Sequence, residues 1–289
     1  MPARTPFREL LKRDETLVMP GAQDALSARL IEQAGFDAFF IGGFQIAGIH
    51  YALPDIGLIS LGDIAPIVRN ILRATSLPVM MDIDDGYGDV KNVVHTVHTY
   101  EDMGVGCMFI EDQVSPKRCG HLDGKRVVPV EDMEAKIRAA VGERKNLDTF
   151  LIARTDALAI EGLDAALHRG ERYLAAGADG LFVESPLDVD QLIKIGAAFD
   201  APMLANMLES GRTPILKPSE LKEIGYDMAI YGITLLMHIT KHMQAVLEDL
   251  RSERLEMTGS AISFDDYKKV VGFDDWDRIE GIHSPETSS

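Results

Sequence analysis

Eight short apolar runs, each followed by a longer segment of helical period, constrain this chain more than any other feature. The runs cover 17–19, 38–41, 78–82, 107–111, 149–153, 180–184, 202–206 and 227–231. Between them lie helix candidates at 25–34, 61–73, 90–103, 130–142, 162–176, 188–199 and 218–224. Glycine recurs where a helix has to end before the next strand, in Ala34-Gly35-Phe36, Met103-Gly104-Val105 and Ala176-Gly177-Ala178. Alternation of strand and helix predicts a parallel sheet, and eight repeats predict closure into a (β/α)8 barrel, the TIM-barrel class. An open doubly wound sheet competes with this, but no glycine-rich dinucleotide loop follows the first run. With 289 residues, 46% of them hydrophobic, and no Pro/Ser-rich linker, one barrel domain is predicted over 1–289.

Beyond the eighth run, 233–251 reads as a long helix and 252–260 as a polar connector. The stretch 264–279 carries Phe264, Tyr267, Val270, Val271, Phe273, Trp276 and Ile279. That is too much apolar surface for a disordered tail, so 253–289 is predicted to be a helical extension docking on the barrel or on a neighbouring subunit. Only 284–289 reads as disordered.

A formal net charge of −17 argues against general binding to nucleic acid or anionic membranes. Small anionic substrates remain open, because local cations or a metal dominate the field inside a pocket. No apolar run reaches membrane-spanning length, the first 13 residues lack a signal-type stretch, and two cysteines do not make a disulfide scaffold. A cytoplasmic protein is the expectation.

In a barrel, chemistry gathers at the carboxyl ends of the strands. Here those ends are polar: Asp82, Asp84 and Asp85 after the third run, Glu111-Asp112-Gln113 after the fourth, Arg154-Thr155-Asp156 after the fifth, Glu184 after the sixth and Asn206 after the seventh. Asp82, Asp84 and Glu111 together are a costly cluster of like charge unless a cation holds them, and all-oxygen ligands select Mg²⁺ or Mn²⁺. Helix capping is the better account of Asp85 and Asp156. Arg154, the one cation at a strand end, either neutralises Glu111 or Glu184 or offers its fork to a substrate carboxylate or alkoxide, and the two roles are compatible. Lys117-Arg118-Cys119-Gly120-His121 puts a thiol among cations, which favours thiolate, with Gly120 and Gly124 loosening the segment. A solvated basic loop with an incidental cysteine accounts for the pentapeptide equally well. Cys107 reads as core, His95 and His98 as helix surface, and His50 and Tyr51 as a loop walling either the pocket or an interface.

Taken jointly, Gly42-Gly43-Phe44, Leu53-Pro54-Asp55-Ile56-Gly57, Asp82-Ile83-Asp84-Asp85-Gly86-Tyr87-Gly88, Glu111-Asp112-Gln113, the cysteine pentapeptide and Ala153-Arg154-Thr155-Asp156-Ala157 resemble the isocitrate lyase/phosphoenolpyruvate mutase superfamily. The cysteine segment resembles its carbon–carbon lyase branch, and within that the 2-alkylmalate lyases. The resemblance implies Mg²⁺ (or Mn²⁺) touched by Asp82, with Asp55, Asp84 and Glu111 holding it largely through water. It implies amides of Gly43 and Phe44 on the α-keto acid end, and Arg154 on its carboxylate and C2 oxygen. Cys119 becomes the proton donor, with Glu184, Asn206 and His121 around the departing half. Gly120 and Lys117 count among the substrate contacts, and Lys117, Arg118 and Lys125 belong to a gating loop. A homotetramer with the last helix swapped between subunits is implied as well.

The reaction so implied is retro-Claisen cleavage of a 2-hydroxy dicarboxylate, with oxaloacetate hydrolysis or decarboxylation and methylisocitrate cleavage as alternatives and a non-catalytic assembly role as the weakest. Two departures bear on the substrate. Many relatives have serine where this chain has Gly42. By alignment, Met237 replaces the arginine that pairs the third carboxylate of methylisocitrate, and a buried carboxylate without that partner is penalised. A smaller, more apolar diacid such as a methyl-substituted malate is the expectation.

Overall fold

The computed structural model describes residues 4–122 and 124–284. Strands β1 (Leu17–Pro20), β2 (Phe39–Ile41), β3 (Val79–Asp82), β4 (Cys107–Glu111), β5 (Phe150–Thr155), β6 (Gly180–Val183), β7 (Met203–Asn206) and β8 (Met228–Tyr231) form one all-parallel sheet in the order β1-β8-β7-β6-β5-β4-β3-β2. The remaining seam, between β1 and β2, closes just beyond β1 through a parallel bridge from Gly21 to Phe40, where the Ala22 amide donates to Phe40 O at 2.8 Å. A Cβ at Gly21 would lie 1.8 Å from Gly232 O, so only glycine permits this closure. The predicted (β/α)8 barrel is what forms.

The helices are α1 (Phe7–Leu10), α2 (Ala25–Gln33), α3 (Gly43–Tyr51), α4 (Leu61–Arg73), α5 (Val90–Glu101), α6 (Val130–Glu143), α7 (Leu158–Glu161), α8 (Leu163–Ala175), α9 (Val189–Gly196), α10 (Pro218–Glu223), α11 (Thr234–Arg251), α12 (Phe264–Val271) and α13 (Phe273–His283). Their starts follow the sequence closely because polar caps fix them: Asp24 and Ser27 box α2, Ser60 and Asp63 box α4, and Asp89 and Asp188 cap α5 and α9. The helix α3 was not expected. Its glycines have low helix propensity, but Ile46 and Ala47 are buried and tertiary packing overrides the local preference. His50 and Tyr51 therefore sit in its last turn rather than in a loop. No described helix is long and apolar enough to cross a membrane.

Alternate residues of a barrel strand point inward. The interior set holds Met19, Phe40, Met80, Cys107, Phe109, Phe150, Ile152, Phe182, Leu204, Met228 and Ile230, joined by Phe7 and Leu10 of α1. Counting on by two from Met80, Phe109, Ile152, Phe182 and Leu204 reaches Asp82, Glu111, Arg154, Glu184 and Asn206. Five of the residues expected at the site thus follow the inward positions of five consecutive strands. The same alternation makes Cys107 core.

The chain divides into two compact units, Met1–Leu236 and Met237–Ser289, with the boundary inside α11, ahead of position 253. In the second unit the predicted single apolar segment is two helices broken at Gly272, whose φ of +74° ends α12. Ser263 caps α12, and the buried Asp249 carboxylate accepts from the amides of Glu256 and Met257 at 3.2 and 3.1 Å. Phe264 and Trp276 are 77% and 68% exposed. Except for Ser284, the predicted disordered tail lies outside the described residues.

Phe7 is fully buried in the barrel interior. Phe7→Ala is expected to destabilise the fold by about 3–5 kcal/mol, read as a lowered urea midpoint at unchanged slope. An unaltered midpoint would place α1 outside the core.

Candidate active site

The strand ends open into a cavity of about 490 Å³, counting the space that communicates with solvent. Its lining includes Phe44, Asp55, Asp82, Glu111, Lys117, Cys119, Gly120, His121, Arg154, Glu184 and Asn206. Two residues expected there, Gly43 and Asp84, stand just behind this wall. A Cβ built on Gly43 would lie 3.3 Å from Asp55 Oδ1 and 3.5 Å from Asp84 Oδ1. Gly43 and Phe44 open α3, so their amides are free of intrahelical partners and favour an anionic group.

One side of the cavity is acidic. Asp84 follows β3 with a φ of +49°, a strained conformation for a residue with a side chain. Its amide donates to Asp82 Oδ1 at 2.9 Å, and its carbonyl accepts from the Glu111 amide at 2.9 Å. Burial and the neighbouring Asp84 push the Asp82 carboxyl up to about 7. Burial also raises Asp55 and carries Glu111 well above its ordinary value, against the pull of Lys117 on the first and Arg154 on the second. Lys117 Nζ bonds Asp55 Oδ1 and stands 2.8 Å from Asp84 Oδ1.

These residues fit a hard divalent cation. Glu111 Oε1 is a buried oxygen without a hydrogen-bond donor among the described residues, a costly condition that a cation and its waters relieve. Among the described residues no three acidic, histidine or cysteine side chains converge tightly enough to be direct ligands together. A single direct carboxylate with the others acting through water matches that spacing.

The opposite side is built on Arg154. Its Nε donates to Asp156 Oδ2 at 2.9 Å and its Nη2 to Asp156 Oδ1 at 3.2 Å. Nη2 also stands 3.4 Å from Glu111 and 3.3 Å from Glu184. Beneath it lie Phe182 and Phe109, with ring centres 5.2 and 5.9 Å from the guanidinium carbon. Arg154 both neutralises carboxylates and faces the cavity. Burial raises Glu184, but Arg154 and His121 more than offset it and hold this carboxyl well below the ordinary range. His121 Nδ1 accepts from the Arg212 amide at 3.0 Å, which leaves Nε2 to carry the proton 3.2 Å from Glu184 Oε1.

The cysteine segment leaves the barrel through a neck made by the Gln113–Val127 bridge and lies over the cavity, with the Cys119 amide bonded to Asp55 O at 3.2 Å. The expected activation of the thiol is not found. Burial, reinforced by Asp55 and Glu184, pushes the Cys119 thiol up, against a bond from the His121 amide and the charge of Arg154. The flanking cations explain the reversal, since Lys117 is committed to Asp55 and Lys125 to Asp156. Cys119 is held as a neutral thiol.

Neither Asp85 nor Asp156 caps a helix. Asp85 Oδ1 closes a turn on the Tyr87 amide at 2.9 Å, and Asp89 does the capping. Asp156 is fully buried, holding Arg154 and Lys125. Behind it, Asp112 accepts from the Asp156 amide, Thr155 Oγ1, Tyr173 OH and Arg169. Gln45, also unforeseen, is 1% exposed on the cavity wall and donates Nε2 to Gly232 O at 2.6 Å. The acidity of Glu111-Asp112 and Asp156 was visible in sequence, as was Arg154 as a partner of Glu111; that Arg169 meets Asp112 and Lys125 meets Asp156 was not. His98 bonds Glu143 O at 2.6 Å and His95 is exposed, as expected of surface positions. Met237, expected to stand in place of an arginine, is 40% exposed on α11.

Comparison with known proteins places this geometry among relatives. The phosphoenolpyruvate phosphomutase family model matches residues 7–251. The 2,3-dimethylmalate lyase of Eubacterium barkeri is 38% identical over 276 residues, covering 95% of this chain and 96% of that protein. The 2-methylisocitrate lyase of Shewanella oneidensis is 40% identical over 247 residues, covering 84% and 85%. Among solved structures, an oxaloacetate acetylhydrolase bound to the inhibitor 3,3-difluorooxalacetate superposes with a TM-score of 0.92 at 31% identity, covering 98% of this chain and 97% of that one.

The acidic side sets a pH dependence. A carboxyl raised to about 7 in the fold takes up a proton there before the unfolded chain does, so its contribution favours folding at low pH and is lost as pH rises through about 7. A divalent cation needs the ionised form. Added Mg²⁺ should therefore raise the melting midpoint more at pH 8 than at pH 6, and Asp82→Asn should remove the difference. An equal rise at both pH values would show that this carboxyl does not meet the ion.

Proposed function

Because the chain belongs to the phosphoenolpyruvate mutase/isocitrate lyase superfamily and is a carbon–carbon lyase of that group, we propose that it cleaves a 2-alkylmalate-type 2-hydroxy dicarboxylate, 2,3-dimethylmalate being the reference substrate, into an α-keto acid and a carboxylic acid. The observation that carries this reading is a half-buried thiol, biased toward its neutral form by its surroundings, held across one cavity from a buried guanidinium and an acidic cluster. A carbanion formed by bond cleavage needs a protonated donor, and Cys119 is in that state.

The roles follow from position. The α3 amides of Gly43 and Phe44 bind the carboxylate beside the hydroxyl-bearing carbon. Arg154 stabilises the alkoxide at C2, its charge undiminished by water because Phe109 and Phe182 floor it. A Mg²⁺ (or Mn²⁺) ion held by Asp82, and through water by Asp55, Asp84 and Glu111, supplies Lewis-acid stabilisation of the same oxygen when bound. The C2 hydroxyl gives up its proton to solvent in the cavity as its oxygen closes to the keto C=O. The electron pair of the breaking C2–C3 bond stays on C3 of the departing half, and Cys119 Sγ delivers a proton there. The thiolate left takes one back from solvent. Glu184, kept ionised by Arg154 and His121, orients His121 and Asn206 around that half, with Asn206 Nδ2 3.5 Å from Glu184 Oε2. Leu208 and Ile233 add apolar wall, which suits alkyl substituents better than a third carboxylate.

Oxaloacetate hydrolysis is the second reading, supported by the superposition on an oxaloacetate acetylhydrolase. Incubation with Mg²⁺ and 2,3-dimethylmalate is expected to yield pyruvate and propionate, abolished by EDTA and lowered at least about 100-fold in kcat by Cys119→Ser. Oxalate and acetate from oxaloacetate as the preferred products would replace the lyase reading by hydrolysis.

The exposed Phe264, Trp276 and Ile282 are read as the face covered by another copy in a homotetramer. Light scattering should give four times the mass of the 31.8 kDa chain. A monomer at micromolar concentration would remove this assignment.

A further inference from the structure

We propose that Lys125 and Asp156, neither of which lines the cavity, are positioning residues that set the plane of Arg154. The inference rests on the assignment of Arg154 as a substrate-binding group.

Asp156 is fully buried, and its two oxygens are shared between two cations: Oδ2 takes Arg154 Nε, while Oδ1 takes Arg154 Nη2 at 3.2 Å and Lys125 Nζ at 2.7 Å. The Asp156 backbone is anchored in turn, its amide donating to Asp112 Oδ1 at 2.9 Å. Lys125 has a side chain 2% exposed, a costly placement for an ammonium unless acceptors surround it. Its second acceptor is Gly120 O, which also takes Ser185 Oγ at 3.0 Å. The backbone at Gly120 packs against the same guanidinium, where a Cβ would be 2.5 Å from Arg154 Nη2. Lys125 therefore ties together two groups that press on Arg154, the Asp156 carboxylate and the Gly120 backbone. With Nε and Nη2 held, Nη1, which makes no hydrogen bond within the described chain, is the nitrogen left for a ligand. A carboxylate holding one cation instead of two has more freedom to swing, and displacement of a substrate-binding group by about 1 Å is worth as much as about 100-fold in rate.

The experiment measures oxalate, a planar dicarboxylate, by calorimetry in saturating Mg²⁺, with melting midpoints recorded alongside. Lys125→Met and Asp156→Asn are each expected to weaken oxalate about 10-fold, with Lys125→Arg restoring most of the loss and the double variant little worse than either single one. Arg144→Met breaks the pair to Asp179, at 2.7 Å, outside this cavity. It is expected to lower the midpoint while leaving oxalate affinity intact. Wild-type affinity in Lys125→Met, losses that add independently, or equal weakening in Arg144→Met would each overturn the relay. Arg154→Met separates the two levels. If it binds oxalate as tightly as the wild type, the substrate-binding assignment of Arg154 fails; if it alone loses affinity, only the relay fails.

Discussion

The pairing of Arg154 with Asp156 is the interaction on which the site depends. A guanidinium and a carboxylate buried together are tolerable where either alone is not. Around them stand Glu111, Glu184, Asp82, Asp84 and Asp55, all buried or nearly so, with only Lys117, Lys125 and Arg154 as buried cations among the described residues of this cluster. The excess is negative. Arg154 is shared among three carboxylates and Lys117 between two, so the cations are outnumbered before a ligand arrives. Such a cavity is poised for a group that brings positive charge to the Asp82 side while placing its own oxygens beside Arg154.

The barrel produces this arrangement with little apparatus. The pleat turns one residue in two inward, and the inward residues are apolar until the last position of five adjacent strands. There the same register delivers Asp82, Glu111, Arg154, Glu184 and Asn206 to one ring. Aromatic residues one layer below keep water out from underneath: Phe109 stacks on Phe40 and meets Phe182 edge-on. Core and site are consecutive layers of one alternation, so the stability of the lower layer is what holds the upper one in register.

Most of that was legible in the residues, because strand, helix and cap signals are local and the eight repeats reinforce one another. Acidic groups at strand ends were legible for the same reason. What escaped was set by contacts between residues distant in sequence. The helix α3 is held by burial of Ile46 and Ala47 rather than by propensity. Asp156 looked like a cap, since nothing local reveals that Lys125 reaches it across 31 positions. The Cys119 thiol looked acidified by its neighbours in the chain, yet Lys117 and Lys125 are claimed by carboxylates contributed elsewhere, and burial decides the outcome. Sequence gives the residue types at a site; the pairing among them is a property of the fold.

The most direct test of the account is the fate of the solvent proton. Cleavage of 2,3-dimethylmalate in D₂O should place a single deuterium on the carbon of the carboxylic acid that was bonded to C2, delivered from the Cys119 thiol on one face. The α-keto acid should emerge without label. Oxalate as a product, deuterium in the keto acid at early times, or equal labelling of both faces would contradict a carbanion protonated by a fixed, neutral thiol.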